Sequence, residues 1–231
     1  MKIKAADKTI EIFGFESAAG HTPTVLLITG GESAAGVWEK YSALSERPCR
    51  LAAVAADDWG NELSPWPAPK VFKGGSDFGA GADATVKTLE KEIVPALMSA
   101  AGNEISPIYI AGYSLAGLFA LYSLYCTDVF SGAISSSGSL WFPGFAEYAV
   151  AHEPGRRPDK IYLSLGDKEK NTKNPVMSRV EEKTKEIYGI FRAFGTDCVF
   201  CFEPGGHFAD PEGRLARGMA RIAGNNENEE I

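Results

Sequence analysis

Residues 108–121 read Ile-Tyr-Ile-Ala-Gly-Tyr-Ser-Leu-Ala-Gly-Leu-Phe-Ala-Leu. The first four form a β-rich apolar run, and the last seven an apolar run of helix formers. Gly112, Tyr113 and Ser114 lie between them and leave room only for a sharp turn. A serine at such a turn stands at the end of a strand with its hydroxyl exposed. The strand and helix can approach that closely only if the flanking residues are small, and Gly112, Ala116 and Gly117 meet that condition. The spacing predicts a nucleophile elbow with Ser114 at its apex.

The usual pattern is G-x-S-x-G, whereas this chain has G-x-S-x-A-G, one methyl group larger at the fifth position. The same six-residue pattern recurs at Gly31-Glu32-Ser33-Ala34-Ala35-Gly36, again after an apolar strand. Context favours Ser114. Ser33 follows the first strongly buried strand, where a loop is expected to donate an oxyanion N–H, and Glu32 would set a negative charge against a developing oxyanion. The expected oxyanion donors are the N–H groups of Gly31 and Leu115. The lesser alternative, judged on the motif alone, is that GYSLAG is only a tight strand-to-helix connection.

Working outward, the β-rich runs KTIEIFGF, PTVLLITG, CRLAAVAA, SPIYIAG, FSGAISSS, KIYLSLG and TDCVFCFEP alternate in the later chain with segments of helical period. Such alternation implies a doubly wound, mostly parallel sheet flanked by helices. Asp83 is expected to cap a helix carrying Val86, Leu89, Ile93 and Leu97, bent by Pro95. A second helix is expected from Asn174-Pro175 to a C-terminal cap at Gly195, and a third from Asp210-Pro211 with Leu215, Met219 and Ile222 inward. Residues 1–224 read as one domain, and residues 225–231 as a frayed, solvated tail.

The chain has three histidines. His21 and His152 fall in polar loop segments and read as solvated surface residues. His207 follows the last strand, is preceded by Gly205-Gly206 and directly precedes a helix. A loop there can carry an imidazole across the sheet edge to the serine. The acid should follow the preceding strand, in Leu165-Gly166-Asp167-Lys168-Glu169. Glu169 is preferred for its longer arm, with Asp167 as a turn cap, although the spacing leaves both open.

The 231 residues carry 30 acidic and 23 basic side chains, a formal charge of -7, which gives no electrostatic reason to bind nucleic acid or anionic lipid. The N-terminal MKIKAADKTIEIFGF alternates polar and apolar residues, and no stretch is apolar enough to span a bilayer, so a cytoplasmic chain is expected. Cys49, Cys126, Cys198 and Cys201 are expected to be buried free thiols, since Cys198 and Cys201 should face opposite sides of one strand. There is no H-E-x-x-H, no G-x-x-x-x-G-K-[ST] and no dinucleotide fingerprint, so neither a metal nor an organic cofactor is expected.

GYSLAGLFALYSL around the serine, ISSSGSLWF, YLSLGDKE and PGGHF together resemble the family that includes the esterase-D and enterochelin-esterase-like hydrolases. The resemblance covers most of the chain and implies an α/β-hydrolase fold, with Glu169 as the carboxylate and Trp141 as the aromatic residue after the Ser-rich segment. Residues 57–67, Asp-Asp-Trp-Gly-Asn-Glu-Leu-Ser-Pro-Trp-Pro, match no substrate-defining motif. They emerge on the side where α/β sheets bind ligands, so Trp59, Trp66, Phe78 and Trp141 are expected to wall a substrate pocket. About twenty residues separate ISSSG from the acid strand, too few for a large lid domain. The expectation is a serine esterase for a soluble small-molecule ester with an open, shallow site. The rivals are a thioesterase, acyltransferase or peptidase using the same serine, or a hydrolase-like binding protein without turnover.

Overall fold

The computed structural model describes residues 1–16, 22–71, 73–102 and 107–224. His21 and the expected tail at residues 225–231 lie outside them. Among the described residues eight strands form one sheet: β1 (Lys2–Ala5), β2 (Lys8–Phe13), β3 (Thr24–Thr29), β4 (Arg50–Ala55), β5 (Ile108–Tyr113), β6 (Gly132–Ser136), β7 (Lys160–Gly166) and β8 (Asp197–Glu203), in spatial order β1-β2-β4-β3-β5-β6-β7-β8. The pairs from β4 through β8 are parallel, while β1–β2 and β2–β4 are antiparallel. The seven strands read from sequence are β2 to β8.

The additional strand, β1, is joined to β2 by Ala6 and Asp7, both at positive φ (51° and 57°). Two left-handed residues in a two-residue loop match the twist of a β-hairpin. Ala-Asp carries no glycine to announce that turn.

The helices are α1 (Ala34–Leu44), α2 (Trp59–Glu62), α3 (Ala82–Thr88), α4 (Val94–Ala100), α5 (Leu115–Cys126), α6 (Phe145–Ala151), α7 (Val180–Ala193) and α8 (Pro211–Ala223). Alternate residues of β3 feed two cores, as strand geometry requires. Leu26 and Ile28 join α3, α4, α5 and α7 on one face through Val86, Leu97, Phe119 and Phe191. Val25 and Leu27 join α1 and α8 on the other through Val37, Tyr41, Leu215 and Met219. Phe119 and Phe191 are fully buried, and truncating either to Ala should cost about 3–5 kcal/mol.

Several expectations about helix ends need correction. Gly81, not Asp83, occupies the N-cap of α3; Asp83 lies in the first turn, where its carboxylate accepts the Tyr122 hydroxyl at 2.7 Å. Before Pro95 the chain forms a π-helical turn, Leu89–Ile93, so the expected single bent helix runs as three pieces. Proline offers no N–H, which leaves the helix ladder one donor short at that point. The helix expected at Asn174 begins at Val180 behind a 3-10 turn, Met177–Arg179, because the Asn174 side chain takes the N–H groups of Val176 and Met177. Gly195 does take the left-handed position past α7 (φ 74°). Cys49 and Cys198 are buried free thiols, but Cys126 is exposed and Cys201 half-buried. Among the described residues no helix is long and apolar enough to cross a membrane.

Candidate active site

β5 is the buried central strand, and it ends at Tyr113. Ser114 follows at φ 57°, ψ -121°, a conformation that L-residues avoid, and α5 begins at Leu115. Such strain persists only where neighbours over-determine it. Here the Ser114 N–H donates to the Ser136 carbonyl at 3.1 Å, and the Ser114 carbonyl accepts the N–H groups of Gly117, Leu118 and Ser139 at 3.0, 3.2 and 2.9 Å. The small neighbours are required sterically, because a Cβ on Gly112 would lie 2.3 Å from the Ala116 backbone. One on Gly117 would lie 2.9 Å from the Ser135 hydroxyl.

Ser33, in the twin motif, has ordinary extended dihedrals (φ -78°, ψ 117°) and serves as the N-cap of α1, its Oγ accepting the Gly36 N–H at 3.1 Å. Its own N–H donates to Glu212 at 3.1 Å. Its hydroxyl is thus spent on satisfying a helix end.

The loop after β8 brings His207 Nε2 to 3.0 Å from Ser114 Oγ. His207 Nδ1 lies 2.8 Å from Glu169 Oε2. The other oxygen, Oε1, accepts the Gly166 N–H at 2.7 Å, the Ser137 hydroxyl at 2.8 Å and Arg214 Nη1 at 2.9 Å. Gly166 ends β7 because a Cβ there would collide with Glu169, Arg214 and the Gly205 carbonyl, all within 2.9 Å. Asp167 instead accepts the Gly205 N–H at 2.8 Å and so pins the histidine loop. Burial works to raise the Glu169 pKa, but the hydrogen bond and charge of His207, with the hydrogen bonds from Gly166 and Ser137, outweigh it and hold the carboxyl below its ordinary value.

The expected oxyanion donors are placed unequally. Leu115 begins α5, and its N–H is one that a helix leaves without an intrahelical acceptor. The β3–β5 register pairs Ile28 with Gly112, so the two neighbouring parallel strands end at the same edge of the sheet, β3 leading into Gly30-Gly31 and β5 into Ser114. The Gly30 and Gly31 N–H groups, however, donate to the Glu32 carboxylate at 3.0 and 3.3 Å. Glu32 thus occupies the Gly31 N–H that was expected to serve as an oxyanion donor.

Of the aromatic residues, Trp59 lies against Gly30, where a Cβ would meet its ring. Trp59 and Phe78 line a cleft of about 800 Å³ between residues 57–61 and 76–79. Phe78 packs on the buried Trp141, with ring centroids 6.3 Å apart. Trp141 is two residues beyond Ser139, whose Oγ is 3.4 Å from that of Ser114. Trp66 is placed differently: it packs on Tyr122, Phe142 and Tyr148 and donates its indole N–H to the Pro143 carbonyl at 2.8 Å. These partners pack it against the core, and it is not among the residues that line the cleft with Trp59 and Phe78. His152 is exposed and stacked on Tyr148.

A hydroxyl, an imidazole and an ionised carboxylate in series can take a proton off the serine and hold the resulting imidazolium. Sequence reasoning missed the polar residues behind them: Tyr113, Ser137, Ser139 and Arg214. Arg214 left a trace, being a charge on the apolar face of α8, one residue from Leu215 and eight from Ile222. No group of three or more His, Cys, Asp or Glu among the described residues could hold a metal ion.

Comparison with known proteins agrees with this architecture. Residues 15–196 match the family described as "Putative esterase". The Bacillus subtilis "uncharacterized protein YbbA" is 25% identical over 150 residues, covering 63% of this chain and 59% of that protein. An IroE-like serine hydrolase from Shewanella oneidensis superposes with TM-score 0.75 at 17% identity, covering 93% of this chain and 75% of that one. The siderophore hydrolase EstB from Aspergillus nidulans gives 0.73 at 18% identity, covering 96% and 93%. The enterobactin esterase FES from Shigella flexneri gives 0.65 at 20% identity, covering 96% and 58%. With the family match running over most of its length and the superposition on these hydrolases covering nearly all of it, this chain belongs to the putative-esterase family and has the α/β-hydrolase fold.

Proposed function

We propose that this protein hydrolyses a soluble carboxylic ester through an acyl-enzyme on Ser114. The observation that carries the reading is the strained Ser114 hydroxyl 3.0 Å from His207 Nε2, with Nδ1 of the same ring 2.8 Å from the Glu169 carboxylate. His207 takes the Ser114 proton as Oγ adds to the ester carbonyl, and Glu169 stabilises the imidazolium. The imidazolium returns that proton to the leaving alkoxide, so the alcohol departs and an acyl-serine remains. The same imidazole then deprotonates a water, which attacks the acyl carbonyl, and Ser114 regains its proton as the carboxylic acid leaves.

The Leu115 N–H supplies one oxyanion donor, and the Gly31 N–H a second once the Glu32 carboxylate turns away. Trp59 and Phe78 line a cleft that also carries Asp57, Asp58 and Asp77, and in this reading the substrate sits against these two rings, with Trp141 behind Phe78. Aromatic walls favour an ester with a flat or apolar acyl group. The named activities of the structural neighbours, siderophore and enterobactin hydrolysis, make trilactone siderophores one arm of the substrate panel. Free thiols at Cys49 and Cys198 fit the reducing conditions of a cytoplasmic placement.

The test is labelling by a fluorophosphonate together with turnover of p-nitrophenyl esters of increasing chain length. Stoichiometric adduct at Ser114 and hydrolysis of at least one ester are expected. An intact protein that takes no label and turns over nothing would instead be a binding module.

A further inference from the structure

Helix α8 buries Leu215, Met219 and Ile222 as an amphipathic helix should, but it also buries Arg214, whose relative exposure is 0%. A guanidinium removed from water is costly unless its donors are met and its charge is paired. Arg214 Nη1 donates to Glu169 Oε1 at 2.9 Å, Ser137 Oγ at 2.6 Å and Tyr113 OH at 3.2 Å. Nη2 donates to the carbonyls of Pro204 at 3.0 Å and Gly206 at 3.1 Å.

These acceptors come from the loops after β6, β7 and β8 and from the last residue of β5, directly before Ser114. One cation therefore grips the carboxylate and, with its other amino group, the two carbonyls on the approach to His207. Tyr113 closes the ring: its hydroxyl accepts from Arg214 and donates to the His207 carbonyl at 2.5 Å. The planar fork of arginine suits this, because it presents several donors in fixed directions where an ammonium offers one compact point.

We infer that Arg214 is a positioning residue for the Ser114 reaction: it holds the Glu169 carboxylate and the His207 loop in register so that the imidazole stays aimed at the serine hydroxyl. The inference rests on the esterase reading above. Ser137 takes part in the same clamp, donating to Glu169 while accepting from Arg214. Its backbone sits at φ 48°, a second strained residue beside the serine. Strain there is what a serine turned inward to serve that pair would require.

The experiment compares wild type, Arg214→Met and Arg214→Lys, each shown to be folded by near-UV circular dichroism. Its readouts are kcat and KM for p-nitrophenyl butyrate and the low-field proton NMR signal of a His207 Nδ1–H hydrogen-bonded to carboxylate. In Arg214→Met, kcat should fall about 10- to 100-fold, as misplacement of a reacting group does, with KM changed less than about twofold. The low-field signal should broaden or vanish. Arg214→Lys should recover part of kcat and signal, since an ammonium can pair with Glu169 without also holding both carbonyls.

A folded Arg214→Met with kcat within about threefold of wild type and an unchanged signal would overturn the inference. If Arg214→Met does not fold, Arg214→Lys decides, and wild-type kcat and signal there would overturn it equally. Failure of the esterase reading is distinguishable. Wild-type protein that neither labels nor turns over would end that reading, while the NMR comparison would still decide what Arg214 holds in place.

Discussion

Ser33 and Ser114 occupy the same place in two identical G-x-S-x-A-G frames, yet one hydroxyl caps a helix and the other, on a left-handed backbone, faces an imidazole. Both follow a buried strand of the same sheet and both begin a helix. The difference lies in the junction. Residues 112–115 pass from strand to helix through the one strained residue Ser114, whereas four residues, Gly30 to Ser33, separate β3 from α1 and let Ser33 relax. Ser114→Ala should abolish fluorophosphonate labelling and ester turnover. Ser33→Ala should leave both within about twofold and cost about 1 kcal/mol of stability, the worth of an N-cap, as read by denaturant unfolding. Loss of labelling in Ser33→Ala with retention in Ser114→Ala would reverse the assignment.

Glu169 and Asp167 bracket the same turn but face different partners, the imidazole and the Gly205 N–H. Glu169→Gln leaves Nδ1 facing an amide that can no longer stabilise an imidazolium. A fall in kcat of about 10³- to 10⁴-fold is expected, by analogy with the loss of an acid partner in serine hydrolases. Asp167→Asn retains an acceptor for Gly205, so its kcat should fall less than about tenfold. Equal losses in steady-state kinetics would place the acid's role on both residues or on neither.

The elements around Ser114 were legible in the sequence because steric demands there are local: Gly112 and Gly117 are forced by close approach of neighbouring chain, and the seven main strands are β-rich runs. His207 and Glu169 were legible because a parallel sheet must deliver successive loops to one edge. Arg214, Ser137 and Tyr113 were not, since the bonds that join Arg214 to Glu169, Ser137 and Tyr113 span 45 to 101 residues and nothing in their own neighbourhood specifies those contacts. The place of Trp66, away from the cleft that Trp59 and Phe78 line, was illegible for a related reason. A tryptophan in a loop rich in Pro and Gly serves equally as pocket wall or core cover, and the choice was made by Tyr122, Phe142 and Tyr148, which come from distant segments.

The depressed pKa of Glu169 also links folding to pH. A carboxyl bound more tightly as its anion in the folded state adds stability above its unfolded pKa, about 4.3 for glutamate. That contribution is lost as pH falls through the lower, folded value. Unfolding free energies of wild type and Glu169→Gln should therefore differ most near neutrality and converge below about pH 4. Urea titrations at a series of pH values check this, and a gap that widens on acidification would show that the Glu169 carboxylate is not favoured by folding. Because Glu169→Gln is nearly isosteric, packing changes should contribute little to the gap.

Glu32 presents the opposite case, a carboxylate whose present partners include the Gly31 N–H that the proposed reaction would use. Its Oε2 accepts the N–H groups of Gly30 and Gly31 at 3.0 and 3.3 Å, in the loop that leaves β3, the strand paired with β5. A developing oxyanion must displace that carboxylate or forgo one donor, and an oxyanion-hole donor is worth about 2.7–4 kcal/mol to the transition state. The carboxylate's own hold is weaker, since its hydrogen bonds are exposed to water. Glu32→Ala should accordingly raise kcat/KM for p-nitrophenyl butyrate by about three- to tenfold, and Glu32→Gln, which keeps a neutral acceptor, by less. The substitution should act on turnover and phosphonylation alike, because both build negative charge on an oxygen at that position. A fall in kcat/KM on Glu32→Ala, with the protein still folded, would mean that Glu32 orders the loop for catalysis and does not obstruct it.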